Sequence, residues 1–399
     1  MKFIIKKNTS KLTTIAVAFQ AGSALEAQRG FPLGTSHFLE HFMFKGTQKR
    51  SSFEMSREIA FYGGESNAYT SNEHVVFYIN IPIDHIESAV EILHDMITNP
   101  IFPEAEFEKE KQVILEEFAS RGDSVGNVIH EALADAFYSN YLAIPVIGTE
   151  ESINSIQLDD VKRFYGEFYK KENMLISVCS SLKPSSVEIL LEKYFGPQDG
   201  VVNFLVKPEN TRVKKTKVVD VIRADLEQSH VVWAWPAVKN SSKDRFAVAM
   251  LASILGDGMD SRLFQEVREK ANLVYGVSAG ASTDRTGGDF CIQFSTRPQN
   301  VEKAKDIILA EIAKIVGTTP TEEELQRAKN KGMTSIYRSW QSNDGTAMKV
   351  IGSYMMSKKV PNIASTSRKL AKVTADDVTR VARKIFSGKN VMVVAKKEV

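Results

Sequence analysis

Two stretches of this chain carry the same pattern half a length apart. Residues 83–93 and 298–308 each open on a turn and continue with apolar residues at helical spacing. Ile86 matches Val301, Ala89 matches Ala304 and Ile92 matches Ile307, each 215 residues apart. A proline follows in both copies, Pro103 and Pro320, and opens a further helix in which Glu110-Lys111 stands opposite Ala328-Lys329. A strand pattern at 229–235 and a helix pattern at 244–255 take the places of residues 14–21 and of a helix near residue 40. The chain therefore reads as two copies of one α+β unit, and 399 residues suit two domains of about 200 each. The expected domains are 1–198 and 217–399. Between them, over 199–216, periodicity fades among prolines, a glycine and lysines, as in a linker.

Within the first copy, residues 11–21 alternate with β-branched side chains and read as a strand. Ser51 and Glu54 have the spacing of a capping box for a helix that stops at Gly63-Gly64. Residues 66–82 read as one long strand. Helices are expected at 84–98, from Pro103 to Arg121, and at 125–138, 158–169 and 184–195, with a strand at 174–179.

Composition narrows the class. Hydrophobic residues at 43% and charged residues at 25% are those of a soluble globular chain, and no apolar run is long enough to span a membrane. The N-terminus lacks the apolar core of a signal peptide. Cys179 and Cys291 match no metal or redox spacing and are expected to be buried, which suits a reducing, cytoplasmic compartment. The net charge of +2 hides an acidic first half and a basic second half. An acidic wall of this kind favours a basic partner, either a substrate or the second half itself. The lysines at 214–217 lack aromatic stacking partners, so no nucleic acid is expected to bind.

The chemistry concentrates at His37-Phe38-Leu39-Glu40-His41. On a helix, His37 and His41 lie one turn apart on one face and reach a single ion, with Glu40 close enough to take a proton from water. The order H-x-x-E-H is the inverted zincin motif. A third ligand must come from elsewhere: His74, His85, His94, His130, or a carboxylate of the helix after Pro103, where Glu110 and Glu117 share a face with Ile114. In the second copy the matching helix reads Ala249-Met250-Leu251-Ala252-Ser253, and His230 is that half's one histidine. One copy keeps the chemistry and the other does not.

These residues resemble the M16 metallopeptidases, in particular the branch that includes the mitochondrial processing peptidases. Glu110-Lys111-Gln112-Val113-Ile114-Leu115-Glu116-Glu117 looks like that family's second metal segment, 76 residues beyond His41. The resemblance implies that His37, His41 and Glu117 bind one Zn²⁺ per chain, that Glu40 is the general base, and that Glu110 stands behind the ligands. Gly63-Gly64-x-x-Asn67-Ala68-Tyr69-Thr70-Ser71 resembles the family's edge strand, which implies that Asn67 and Ala68 bind the substrate backbone. Residues 256–275 resemble the segment that supplies an arginine and a tyrosine to the scissile region, here Arg268 and Tyr275. The likeness covers nearly the whole chain. It departs at a short N-terminus without the usual Asn-Gly-Leu, and at Asp257-Gly258-Met259-Asp260.

The fold implied is two homologous α+β domains, each a mainly antiparallel sheet packed with helices. The function implied is a zinc endopeptidase cutting unfolded peptides or presequence-like segments inside a chamber that a homodimer closes. A non-catalytic, peptide-binding family member is the rival, and the complete set of chemical residues speaks against it. A catalytic subunit with a different, inactive partner is the second alternative.

Overall fold

The computed structural model describes residues 1–198, 205–211, 213 and 215–398. Much of the expected linker, 199–204 with 212 and 214, lies outside the described residues. Contacts divide the chain into two compact units. One comprises Met1–Ser120, Ile144–Lys207 and Arg338–Pro361; the other comprises Arg121–Ala143, Pro208–Tyr337 and Asn362–Val399.

The first unit is built on β1 (Lys2–Lys7), β2 (Leu12–Phe19), β3 (Glu65–Thr70), β4 (Val75–Pro82) and β5 (Met174–Ser180), in the order β1-β5-β2-β4-β3. β1 and β5 run parallel and the other pairs antiparallel. The sheet interior, β5 and β2, is buried on both faces, so these strands are apolar or small at nearly every position. Ala16 and Ala18 on β2 face the helix Asn343–Ser357, which lays Ala347, Val350, Ile351, Tyr354 and Met355 onto them and onto Ile4, Val76 and Leu175. β3 closes the sheet as an edge strand.

The second unit repeats this plan with β6 (Lys217–Ile222), β7 (Ser229–Pro236), β8 (Val274–Ala281), β9 (Asp289–Thr296) and β10 (Val391–Lys396), ordered β6-β10-β7-β9-β8. β6 and β10 are its parallel pair. The correspondence reaches single turns: the 3₁₀ turns Ile83–His85 and Pro298–Asn300 precede the helices Ile86–Thr98 and Val301–Gly317. Here the helix Val125–Phe137 covers the sheet, with Ile129, Leu133 and Phe137 against Val232, Ala234, Val391 and Val393. Each half of the sequence therefore lends one helix to the other's unit, and the units are not the contiguous stretches 1–198 and 217–399.

Three local expectations change. β1 had no place in the sequence reading, because lysines flank its short apolar run Phe3-Ile4-Ile5. The single strand expected at 66–82 is a hairpin. The Ser71 N–H donates to the His74 carbonyl at 2.8 Å, and the Ser71 hydroxyl donates to the same oxygen, so the chain turns at Ser71-Asn72-Glu73-His74. Cys179 is buried as expected, but Cys291 is partly exposed. The capping box forms: Ser51 Oγ accepts the Glu54 N–H and Glu54 accepts the Ser51 N–H. Among the described residues no helix is long and apolar enough to cross a membrane.

Candidate metal centre

The metal helix, Thr35–Phe42, buries Phe38, Leu39 and Phe42 completely. Phe38 and Phe42 pack on Phe107, with ring centroids 4.9 and 6.0 Å apart. Phe107 belongs to the helix Glu104–Asp123, whose next turns carry Glu110, Ile114 and Glu117. One apolar contact thus sets the two ligand-bearing helices against each other.

On the opposite side His37 Nε2 lies 3.8 Å from Glu117 Oε2, and His41 Nε2 lies 3.5 Å from the same oxygen. The three ligand atoms fall within 4.8 Å of one another, the one such group found among the described residues. Tetrahedral zinc with ligand bonds near 2.1 Å separates its ligand atoms by roughly 3.4 Å. Two nitrogens and a carboxylate oxygen at these spacings fit zinc. His41 Nδ1 stands 2.8 Å from Glu110 Oε1, which leaves Nε2 as the nitrogen that faces Glu117. The other Glu110 oxygen pairs with the Lys45 ammonium.

Electrostatics follow from this geometry. Burial pushes the Glu110 carboxyl up, but its bonds to His41 and Lys45 outweigh that and hold it below the usual carboxylate range. Burial pulls the His41 imidazole down; the Glu110 hydrogen bond, with the charges of Glu110, Glu40 and Glu117, more than reverses this and raises it. Glu40 is buried too, and burial raises its carboxyl against a hydrogen bond from Thr70. A carboxyl poised this way suits proton transfer.

Thr70 is the last residue of β3, so the edge strand is tied directly to Glu40. Asn67 and Ala68 sit mid-strand opposite Tyr78 and Phe77. The Ala68 N–H bonds to Asn67 Oδ1 at 2.8 Å and not to β4, so it belongs to the open side of the edge. The other histidines of the first half stay outside the cluster. His74 sits in the hairpin turn, where burial pulls its imidazole down to about 4. His85 packs on Tyr62 and His94 on Phe195, and His130 is solvent-exposed.

In the second unit Arg268 and Tyr275 meet each other. The Arg268 guanidinium stands 4.5 Å from the Phe264 ring centre and 5.3 Å from that of Tyr275. Arg268 lies on a π-helical turn, Phe264–Lys270, and Tyr275, 83% exposed, is the second residue of β8. Sequence reasoning gave no role to Lys45 or Thr70. Lys45, four residues after His41, was within reach of helical spacing; Thr70 depends on a hairpin that the pattern did not show.

A family model described as insulinase, peptidase family M16, matches residues 2–150, and one described as the peptidase M16 inactive domain matches residues 155–331. A protein of Rickettsia felis named "Uncharacterized zinc protease" is 30% identical over 365 residues, covering 89% of this chain and 85% of its own. The chain belongs to the M16 family of metallopeptidases. A Bacillus subtilis zinc protease of the same naming is 28% identical over 387 residues, 96% of this chain and 93% of that protein. Two solved structures share the M16 fold at a TM-score of 0.88 and 21% identity. They are a peptidase M16 inactive domain from Pseudomonas fluorescens, covering 100% of this chain and 95% of its own, and a protease from Helicobacter pylori, covering 99% and 96%. The stretch matched by the "inactive domain" model includes the helix Arg245–Gly256, which carries no histidine.

Proposed function

We propose that this M16 chain is a zinc-dependent endopeptidase acting on extended, unfolded peptides. The observation that carries this reading is the His37–His41–Glu117 cluster with the buried carboxyl of Glu40 beside it. Zinc bound there would supply a Lewis acid for the scissile carbonyl and lower the pKa of water. Glu40 takes the proton from the attacking water and returns it to the leaving amine, and Thr70 keeps the carboxyl pointed while it does so. The open edge of β3 binds the peptide as an added strand, through Asn67 and Ala68. Arg268 and Tyr275, cationic and exposed, serve as the second half's contribution to substrate binding and to the developing oxyanion. Unfolded chains suit such a site because a folded domain offers no free strand. The same reading includes a homodimer that encloses the substrate and a preference for basic peptides, the latter supported by the acidic first half.

The test is the purified protein with and without chelator, its zinc content, and cleavage of a quenched peptide. Glu40→Gln should retain one zinc per chain and lose turnover by about 10²–10⁴. Full activity in that variant would overturn the mechanism.

A further inference from the structure

The metal helix carries His37, Glu40 and His41, yet it starts at Gly34, which has no side chain to cap it. Glycine is required there: φ is 91°, and a Cβ would fall 2.4 Å from the Ile147 carbonyl oxygen. The first N–H groups of a helix need acceptors from outside it. These come from a different element. Glu26, on the short helix Ala24–Arg29, accepts the Gly34 N–H through Oε2 at 2.8 Å and the Ser36 N–H through Oε1 at 2.7 Å. Among the described residues these two amides are the partners of its carboxyl group, which is fully buried. The Ser36 hydroxyl donates to the Ala21 carbonyl, a second tie between the same two segments.

A buried carboxyl group without a cation is costly, and it survives here because two aligned amides and the positive end of the helix meet it. An apolar side chain in the same space would leave the Gly34 and Ser36 N–H groups buried without an acceptor. We propose that Glu26 is a positioning residue for the metal centre, fixing the start and the roll of the metal helix so that His37 and His41 face Glu117. The lever is long. An imidazole nitrogen lies roughly 6 Å off the helix axis, so a roll of about 20° moves it about 2 Å, the length of a ligand bond. Phe38 and Phe42 limit such a roll from the apolar side, and Glu26 fixes the helix at its first turn. This inference rests on the zinc reading of the site.

Glu26→Gln keeps the shape but offers one acceptor, with an NH₂ facing the other amide. It should fold with a near-native thermal transition, bind zinc about tenfold more weakly in competition with a chromophoric chelator, and show altered visible bands when loaded with Co²⁺. On a peptide that the wild type cleaves, kcat should fall while KM holds. If Glu26→Gln does not fold, Glu26→Asp, which keeps both oxygens, replaces it with the same expectations. Wild-type zinc affinity together with a wild-type Co²⁺ spectrum in a folded variant overturns the proposal. So does failure of both variants to fold, since the carboxyl group would then serve the whole unit. Weakened zinc binding in Glu26→Gln, together with no peptide cleavage by the zinc-loaded wild type, would sink the peptidase reading alone. Normal cleavage and zinc binding in Glu26→Gln would sink the positioning role alone.

Discussion

Glu110 Oε1 stands 2.8 Å from Nδ1 of His41, and the other Glu110 oxygen pairs with Lys45. The lysine charge keeps the carboxylate ionised, and the carboxylate fixes the imidazole ring with Nε2 toward Glu117. Partners of this kind behind a metal ligand typically account for about 10–100-fold in affinity. Glu110→Gln should therefore weaken zinc binding by that order in a chelator competition. Lys45→Met should act in the same direction but less, because His41 keeps its partner. Equal affinity in Glu110→Gln and wild type would show that Glu117 and the histidines suffice.

Thr70 connects the edge strand β3 to Glu40. Its hydroxyl donates to Glu40 and it also ends β3, so a peptide docked on that edge, as proposed above, would run past the Glu40 carboxyl. Thr70→Val keeps the shape and removes the donor. A hydrogen bond to a charged group contributes about 1.5–3 kcal/mol, so kcat should fall at least about tenfold with zinc content unchanged. A variant with unaltered kcat would leave Glu40 positioned by burial alone.

Most of the site was legible in the sequence because its parts are local or periodic. His37, Glu40 and His41 follow helical spacing; Glu110 and Glu117 share a helix face, but spacing leaves the third ligand open among several residues and only the family resemblance selects Glu117. The doubling of the fold was legible too, since the 215-residue offset survives down to single 3₁₀ turns. What the pattern could not show depends on long-range pairing. Residues 66–82 look like one strand because the turn at 71–74 interrupts an otherwise uniform β signal. The helices 125–137 and 343–357 look amphipathic in any context, and nothing in their spacing says which sheet they cover. The Glu26 cap joins residues eight and ten apart across a loop, where no periodic rule applies.

Edge pairing gives a direct test of substrate docking. The Ala68 N–H is not part of the β3–β4 ladder, so Ala68→Pro deletes an outward donor and leaves the inner hydrogen bonds of β3 in place. KM for peptide substrates should rise several-fold with kcat and zinc content little changed. An unaltered KM would mean that peptides bind elsewhere.

His74 gives the first unit an acid-sensitive turn. Its imidazole has an ordinary value of 6.5 and is pulled down to about 4 by burial. Between those values the unfolded chain binds a proton that the folded chain does not, so stability falls as pH drops through that window. At about 1.4 kcal/mol per unit the loss cannot exceed roughly 3 kcal/mol, and partial exposure of the ring makes it smaller. Urea titrations at pH 7 and pH 4 should show wild type losing about 1–3 kcal/mol more than His74→Gln. Chelator in both samples removes any share due to metal release. Equal losses would place the acid sensitivity elsewhere.

The exchanged helices predict which fragments fold. A fragment of residues 1–198 lacks Asn343–Ser357, so Ile4, Ala16, Ala18, Val76 and Leu175 would lose their cover. It also keeps Val125–Phe137 without the sheet that buries Ile129, Leu133 and Phe137. Burial of Val350, Ile351, Tyr354 and Met355 at about 1.5–3 kcal/mol each amounts to roughly 6–12 kcal/mol. That is comparable to the whole stability of a typical domain, about 5–15 kcal/mol. The fragment should therefore show no cooperative thermal transition and should bind zinc poorly, although it holds His37, His41 and Glu117. Joining residues 338–361 to it through a flexible linker, with Ile129, Leu133 and Phe137 changed to polar residues, should restore a cooperative transition and zinc binding together. A cooperative transition in the unmodified 1–198 fragment would show that the exchanged helix adds to the first unit without being needed for it.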